Sequence, residues 1–277
     1  MKYFSFLLLG FFALMLPLYA QDNPAKYALV IGNGNYSTLS PLSNPINDAN
    51  DIAAVLEHLG FSVEKVLNGD LEQMEEAALR LKEKLMETSN AFGFFFYAGH
   101  GVQYGGENYL IPVNANIASE NALRTRAMSV QMLLDDLTDA GNGLNVVVLD
   151  ACRDNPFGWS RSGSRGLTVV NRQPADSIVV YATSAGARAS DGEGRNGLFT
   201  SQLINNLATP GIEVNEVFRR TGMNVAELSA NQQIPAIYSQ FFGTAYLGEK
   251  PDDLGVMLPP STTVIIGGGN YMEMKMH

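Results

Sequence analysis

A single cysteine in 277 residues, Cys152, rules out any disulfide framework within the chain. Histidine is scarce as well, with only His58, His100 and His277. Positive charge is the third shortage: 18 Lys and Arg stand against 28 Asp and Glu, a formal net charge of −10. The acidic residues are dispersed rather than gathered in blocks. A chain of this sign repels phosphate backbones, so no nucleic-acid partner is expected, while cationic substrates are weakly favoured. Beyond the first twenty residues there is no long apolar run, and no internal repeat is visible.

Those first residues read as a leader. Met1 and Lys2 give a short positive start, Phe4 to Leu18 are almost unbroken apolar residues, and Leu18-Tyr19-Ala20 ends in a small residue. This is the pattern of a secretory signal over residues 1–20, too short for a comfortable membrane span and with no stop-transfer pattern behind it. An uncleaved N-terminal anchor is the alternative. The expected location is secreted or periplasmic, with no stable membrane span after cleavage. An odd cysteine in an exported protein means intermolecular pairing or a free reactive thiol, and an inert buried thiol is the bland alternative. Residues 21–249 are long enough for one large α/β domain. From Lys250 the composition shifts to Pro259-Pro260 and Gly267-Gly268-Gly269, so residues 250–277 read as a loosely ordered tail, in which Val264 to Ile266 could add an edge strand.

Between leader and tail, strand and helix patterns alternate. Tyr27 to Ile31 is a short apolar run that ends in Gly32-Asn33-Gly34-Asn35, a buried first strand. Ile52, Val55, Leu56 and Leu59 fall at helical spacing, with Gly60 as a C-terminal stop. Phe61 to Leu67 follows as a strand. Asp70 with Gln73 forms a capping-box pattern ahead of Met74, Ala78, Leu81 and Leu85 on one helical face. Phe92 to Tyr97 is a strongly apolar third strand leading into Ala98-Gly99-His100-Gly101, and a hairpin is expected from Val102 to Val113 around Gly105-Gly106. Val130 to Leu137 reads as helix, Leu144 to Leu149 as a fourth strand delivering Asp150-Ala151-Cys152, and Ile178 to Tyr181 as a fifth. Helices are expected over Phe199 to Leu207 and Val214 to Leu228, and a closing sixth strand over Thr244 to Leu247. Near-continuous apolar strands separated by helices imply a mostly parallel sheet covered on both faces, with its site beyond the carboxyl ends of the strands.

Both His100 and Cys152 sit just past such ends. His58 lies off the apolar stripe of its helix and His277 is terminal, which leaves His100 on a glycine-flanked loop as the candidate acid–base group. Gly99 and Gly101 would let the backbone approach a substrate. Peptide hydrolysis needs a thiolate nucleophile, an imidazole to move protons and backbone N–H groups to hold an oxyanion. Cys152, His100 and the N–H groups of Gly101 and Cys152 fit those parts. One cysteine and one well-placed histidine do not make a structural or catalytic zinc set, so no metal or other cofactor is required for the chemistry. The polar, glycine-bearing stretches Arg161 to Gly166 and Ala185 to Gly197 look like active-site loops.

Tyr97-Ala98-Gly99-His100-Gly101 and, 52 positions after the histidine, Asp150-Ala151-Cys152-Arg153-Asp154-Asn155-Pro156 resemble the paired motifs of the caspase-like superfamily. Asp150 and Asp154 depart from the true caspase signature and point to bacterial metacaspase-like members. Tyr181-Ala182-Thr183-Ser184 and Asp191-Gly192-Glu193-Gly194 resemble the loops that follow the fifth strand in those members. The resemblance spans roughly Lys26 to Leu247 and implies a three-layer caspase-like fold with a mostly parallel six-stranded sheet. It also implies a cysteine endopeptidase that cuts after Arg or Lys, so that basic protein or peptide substrates are the expected partners. Asp150 and Asp48 match the family's acidic positions in the primary specificity pocket. Pro45 and Ala98 stand where the family carries a cysteine and a serine. The resemblance further implies a possible calcium activation through Asp191 and Glu193, and self-cleavage after Arg161, Arg165 or Arg195. Three other readings compete: a non-catalytic caspase-like scaffold, a related cysteine peptidase with different selectivity, and a nucleotide-binding domain using Gly32-Asn33-Gly34, whose third fingerprint glycine is missing.

Overall fold

The apolar runs from Tyr27 to Tyr181 form strands and the amphipathic stretches form helices, in the order needed to wind a sheet between two helical layers. The computed structural model describes residues 23–152 (Cys152 by its backbone), 157, 167, 173–183 and 194–251. The leader, Arg161, Arg165, Asp191, Glu193 and the tail after residue 251 lie outside the described residues.

In chain order the elements are β1 (Lys26–Gly32), α1 (Pro45–His58), β2 (Ser62–Leu67), α2 (Leu71–Met86), β3 (Phe92–Tyr104) and β4 (Glu107–Leu110). There follow α3 (Leu123–Arg126), β5 (Met128–Ser129), α4 (Val130–Asp139), β6 (Leu144–Cys152), β7 (Ser177–Tyr181), α5 (Leu198–Leu207), α6 (Val214–Leu228) and β8 (Ala236–Ser239). The main sheet runs β2-β1-β3-β6-β7-β8, parallel throughout except for the antiparallel edge strand β8. β4 and β5 form a small antiparallel extension built onto the far end of β3.

Strand alternation divides the core into two layers. Ala28, Val30, Phe94, Phe96, Val146, Val148, Ile178 and Val180 point to one face, under Ile52, Leu56, Phe199, Leu203, Val217 and Phe218 of α1, α5 and α6. Leu29, Ile31, Phe95, Tyr97, Val147, Leu149 and Val179 point to the other, under Met74, Leu81 and Leu85 of α2 and Leu133, Leu134 and Leu137 of α4. Each fully buried aliphatic or phenyl side chain of this set contributes ~1.5–3 kcal/mol by leaving water. The fold class expected from the sequence is therefore present, and so is the capping box of α2. There Asp70 accepts from Gln73 N–H at 2.9 Å while Gln73 Oε1 accepts from Asp70 N–H at 3.0 Å.

Two expectations are corrected. The closing strand is Ala236–Ser239, paired antiparallel with β7, and not Thr244–Leu247, of which Tyr246 makes one isolated bridge to Glu213. β8 is short and only half-buried, so it carries no strong apolar signal. His100 and Gly101 also do not occupy a loop. β3 continues through them to Tyr104, exchanging its parallel neighbours for the antiparallel partner β4, and the hairpin turns at Gly105 and Gly106, both at positive φ.

The Gly32-Asn33-Gly34 turn has a packing role. A Cβ on Gly32 would lie 2.5 Å from the Pro45 carbonyl oxygen, so glycine is what lets α1 lie against β1. The Asn33 side chain is fully buried; its Nδ2 donates to Ile111 O at 3.1 Å and its Oδ1 accepts from Gly69 N–H at 2.9 Å. These bonds fasten three loops together, which is what the asparagine is for.

Candidate active site

At the carboxyl ends of β3 and β6, His100 and Cys152 are register partners, their Cα atoms side by side on adjacent parallel strands. Two positions earlier the same ladder pairs Ala98 with Asp150. The nucleophile and base candidates and one acidic candidate therefore stand on two neighbouring strands, although the residues are separated by about fifty positions of chain.

His100 is 7 % exposed and held on several sides. Its Nε2 lies 2.9 Å from the Ser40 carbonyl oxygen. A carbonyl can only accept, so that bond places the ring proton on Nε2 and leaves Nδ1 as the basic nitrogen. The Tyr36 ring lies against the imidazole, centroids 4.5 Å apart, and its hydroxyl accepts the His100 backbone N–H at 2.8 Å. Tyr97 Oη in turn donates to the His100 carbonyl at 2.8 Å and sits 3.3 Å from Tyr36 Oη. Burial pushes the Tyr97 phenol well above its ordinary range, so it stays a protonated donor.

Gly99 is required by this packing. A Cβ there would fall 2.6 Å from both Tyr36 Oη and Tyr97 Oη. Gly99→Ala is expected to destabilise the protein by about 1–3 kcal/mol through overpacking and to lower turnover by displacing His100. A urea-unfolding midpoint unchanged from that of the parent would overturn this account.

The direction of the Gly101 amide follows from the ladder. Ile111 N–H donates to the His100 carbonyl at 3.0 Å, which makes Gly101 and Leu110 a non-hydrogen-bonded pair of the β3–β4 hairpin. The Gly101 N–H therefore points away from β4, toward the edge that carries β6 and Cys152.

The acidic candidates also come together. Asp48, in the first turn of α1, is 3 % exposed and close enough to Asp150 for the two to repel. Burial first, then the Asp150 charge, pushes the Asp48 carboxyl up to about 7. Asp48 Oδ1 accepts the Gly197 N–H at 3.1 Å, and the Asn196 amide is hydrogen-bonded to the same carboxyl. Thr200 Oγ1 donates to Asp150 Oδ2 at 2.6 Å. Pro45 opens α1, where its missing N–H costs nothing, and Ala98 is buried, so neither adds a polar group here.

Several of these contacts have no signal in the sequence. The contacts of the Ser40 carbonyl and Tyr36 with His100, of Thr200 with Asp150 and of Arg195 with Asp51 join positions dozens of residues apart, and no local pattern announces them. Arg195, one of the expected self-cleavage sites, forms a two-pronged ion pair with Asp51, Nε to Oδ2 at 2.9 Å and Nη2 to Oδ1 at 3.0 Å. The guanidinium holds the Asp51 carboxyl below its ordinary range. His58 is exposed, as its place on α1 predicts.

Comparison with known proteins identifies the family. The caspase domain family model matches residues 25–246. Human mucosa-associated lymphoid tissue lymphoma translocation protein 1 is 33 % identical over 167 residues, and its mouse homologue 32 % identical over the same length. In each case the match takes in 59 % of this chain and 19 % of the relative, so the chain spans about a fifth of these curated proteins. The crystal structure of the Drosophila initiator caspase Dronc superposes with a TM-score of 0.59 at 12 % identity, covering 80 % of this chain and 82 % of that one, a likeness of fold. The family model covers most of the chain and the fold agrees with it: the protein belongs to the caspase-domain family of cysteine peptidases.

Proposed function

We propose that this protein is an exported, metacaspase-like cysteine endopeptidase that hydrolyses peptide bonds after Arg or Lys, with Cys152 as nucleophile and His100 as acid–base partner. The observation that carries the reading is the closeness of the buried Asp48 of α1 to the half-buried Asp150, which stands two ladder positions before Cys152 on β6. A basic side chain that enters toward the two carboxylates brings its own carbonyl carbon toward the strand ends. A guanidinium or ammonium relieves the repulsion between the acids, whereas an acidic side chain would add to it.

The chemistry follows from the atoms available. His100 Nδ1 takes the Cys152 thiol proton, and the thiolate attacks the carbonyl carbon. The carbonyl oxygen becomes an oxyanion between the N–H groups of Gly101 and Cys152. The imidazolium then protonates the departing amine as the C–N bond breaks, leaving a thioester. Water, deprotonated by the same nitrogen, attacks the thioester and returns the free thiol. The Ser40 carbonyl keeps the Nε2 proton in place throughout and stabilises the imidazolium. The leader-like residues 1–20 add export to the periplasm or beyond. Among the described residues no helix is long and apolar enough to cross a membrane.

A fluorogenic peptide panel tests this with the chain from Gln21 onward, with and without calcium. Hydrolysis after Arg and Lys, at least about a hundredfold above Asp, is the expected result, in keeping with a buried charge pair. Cleavage after Asp or Asn would overturn the pocket assignment. No hydrolysis under either condition would favour a scaffold role.

A further inference from the structure

The segment Arg195-Asn196-Gly197 and the first turn of α5 touch three acidic residues on two other elements. Arg195 grips Asp51 with two nitrogens, and Asn47 Nδ2 donates to the Arg195 carbonyl at 3.1 Å. Asn196 Nδ2 donates to Asp51 Oδ2 at 2.9 Å and its amide also serves Asp48. Gly197 N–H reaches Asp48, and Thr200 reaches Asp150. The carboxylate that would face a substrate from α1 and the one from β6 are thus both oriented by this single stretch. Among the described residues, Arg195 ties the outer end of the stretch to α1 by charge.

Asp51 lies one turn after Asp48 on α1, and its charge opposes ionisation of Asp48. The groups bearing on the Asp48 carboxyl are Asp51 from its own helix, Asp150 from β6, and Asn196 with the Gly197 N–H from the segment. Arg195 acts through Asp51. Its side chain is 61 % exposed, against 29 % for Asp51, so the guanidinium stands at the surface and pairs with Asp51 rather than with Asp48.

We propose that the Arg195–Asp51 ion pair is a latch that positions residues 195–200 over the Asp48–Asp150 pair and, by neutralising Asp51, sets the pH at which that pair accepts a basic side chain. Arg195 is on this account a positioning residue and contributes nothing to bond cleavage. The inference rests on the proposed Arg/Lys selectivity of the same pocket.

Benzamidine, a small cation that needs no reaction with the thiol, is the probe. Its affinity for the Cys152→Ala chain is measured by calorimetry from pH 5.5 to 8.5, beside the same chain carrying R195Q, R195K or D51N with R195Q. The parent should bind more tightly as pH rises through neutrality. R195Q leaves Asp51 unneutralised, so Asp48 ionises later, the rise moves to higher pH, and affinity at pH 7 falls by about tenfold. R195K should recover part of that loss, because an ammonium keeps the charge and gives up the two-pronged geometry. D51N with R195Q removes both charges and should return the rise to about the parent's pH.

A latch that matters only for folding would lower affinity equally at every pH, with no return in the double variant, and that result overturns the proposal. R195Q indistinguishable from the parent does the same. If R195Q does not fold, R195K and the double variant still decide the matter. Failure of the underlying reading looks different: the parent itself would neither bind benzamidine nor, with Cys152 present, prefer arginyl peptides.

Discussion

Replacing either Cys152 or His100 by alanine is expected to lower kcat/KM on an arginyl peptide by about 10⁴-fold or more, and replacing both should cost little beyond the worse single change. Nucleophile and base act as one unit: without the imidazole little thiolate is formed at neutral pH, and without the thiol there is no nucleophile to activate. The single cysteine makes an independent readout possible. Iodoacetamide can alkylate only Cys152, and the rate below pH 7 should fall sharply in His100→Ala, because the imidazolium that favours the thiolate is gone. Residual activity within tenfold of the parent, or an alkylation rate unaffected by His100→Ala, would exclude the dyad. Loss of turnover with near-parent unfolding midpoints would tie the effect to chemistry.

Asp48→Asn is expected to lower kcat/KM on arginyl peptides by about 10²–10³-fold and to leave a neutral-residue peptide nearly unaffected, because one member of a buried charge pair loses its charge. The pH dependence gives the sharper test. With the Asp48 carboxyl pushed up to about 7 by burial and by Asp150, the parent should gain activity on arginyl peptides as pH rises through neutrality. Asp48→Asn should lose that limb specifically for basic peptides.

The stability effect has the opposite sign. An acid whose folded pKa is raised above its unfolded value stabilises the fold in full below pH ~4, and the contribution is lost as pH rises through about 7. Above pH 7 the ionised Asp48 costs the fold roughly 2–4 kcal/mol. Asparagine keeps an oxygen for the Gly197 N–H without the charge. The variant should therefore melt at a higher temperature than the parent at pH 8 and at about the same temperature at pH 4. A variant less stable than the parent at pH 8 would show that the Asp48 charge is compensated in the free protein. A buried acid kept at the expense of stability is a common arrangement in binding sites.

Much of the site was legible before any coordinates because its parts sit at strand ends. Gly99-His100-Gly101 and Asp150-Ala151-Cys152 each follow an apolar run long enough to be a buried strand, and parallel sheets gather their functional groups at that end. Asp48 was legible only through the family resemblance, and its place in the first turn of the helix that follows β1 brings it to the same end of the sheet. What escaped was non-local. β8 is four residues, three half-buried and Ile237 exposed, whose strand identity depends on the unpaired edge of β7, so its own pattern is too weak to distinguish it from Thr244–Leu247. The continuation of β3 through His100 depends on β4 folding back, because an extended backbone at that point needs a partner for its N–H and C=O groups.

The sequence by itself determined the alternation of strands and helices, the two layers of the core and the identity of the residues that could do chemistry, because hydrophobic periodicity and short motifs are local properties. Tertiary structure alone decided how those residues act. The proton on His100 Nε2 follows from the carbonyl of Ser40, the seat of the histidine from Tyr36 and Tyr97, and the raised pKa of Asp48 first from burial and then from a carboxylate about a hundred positions away on β6. Electrostatic and hydrogen-bond energies depend on separation in space and on exclusion of water, and neither can be read from separation along the chain.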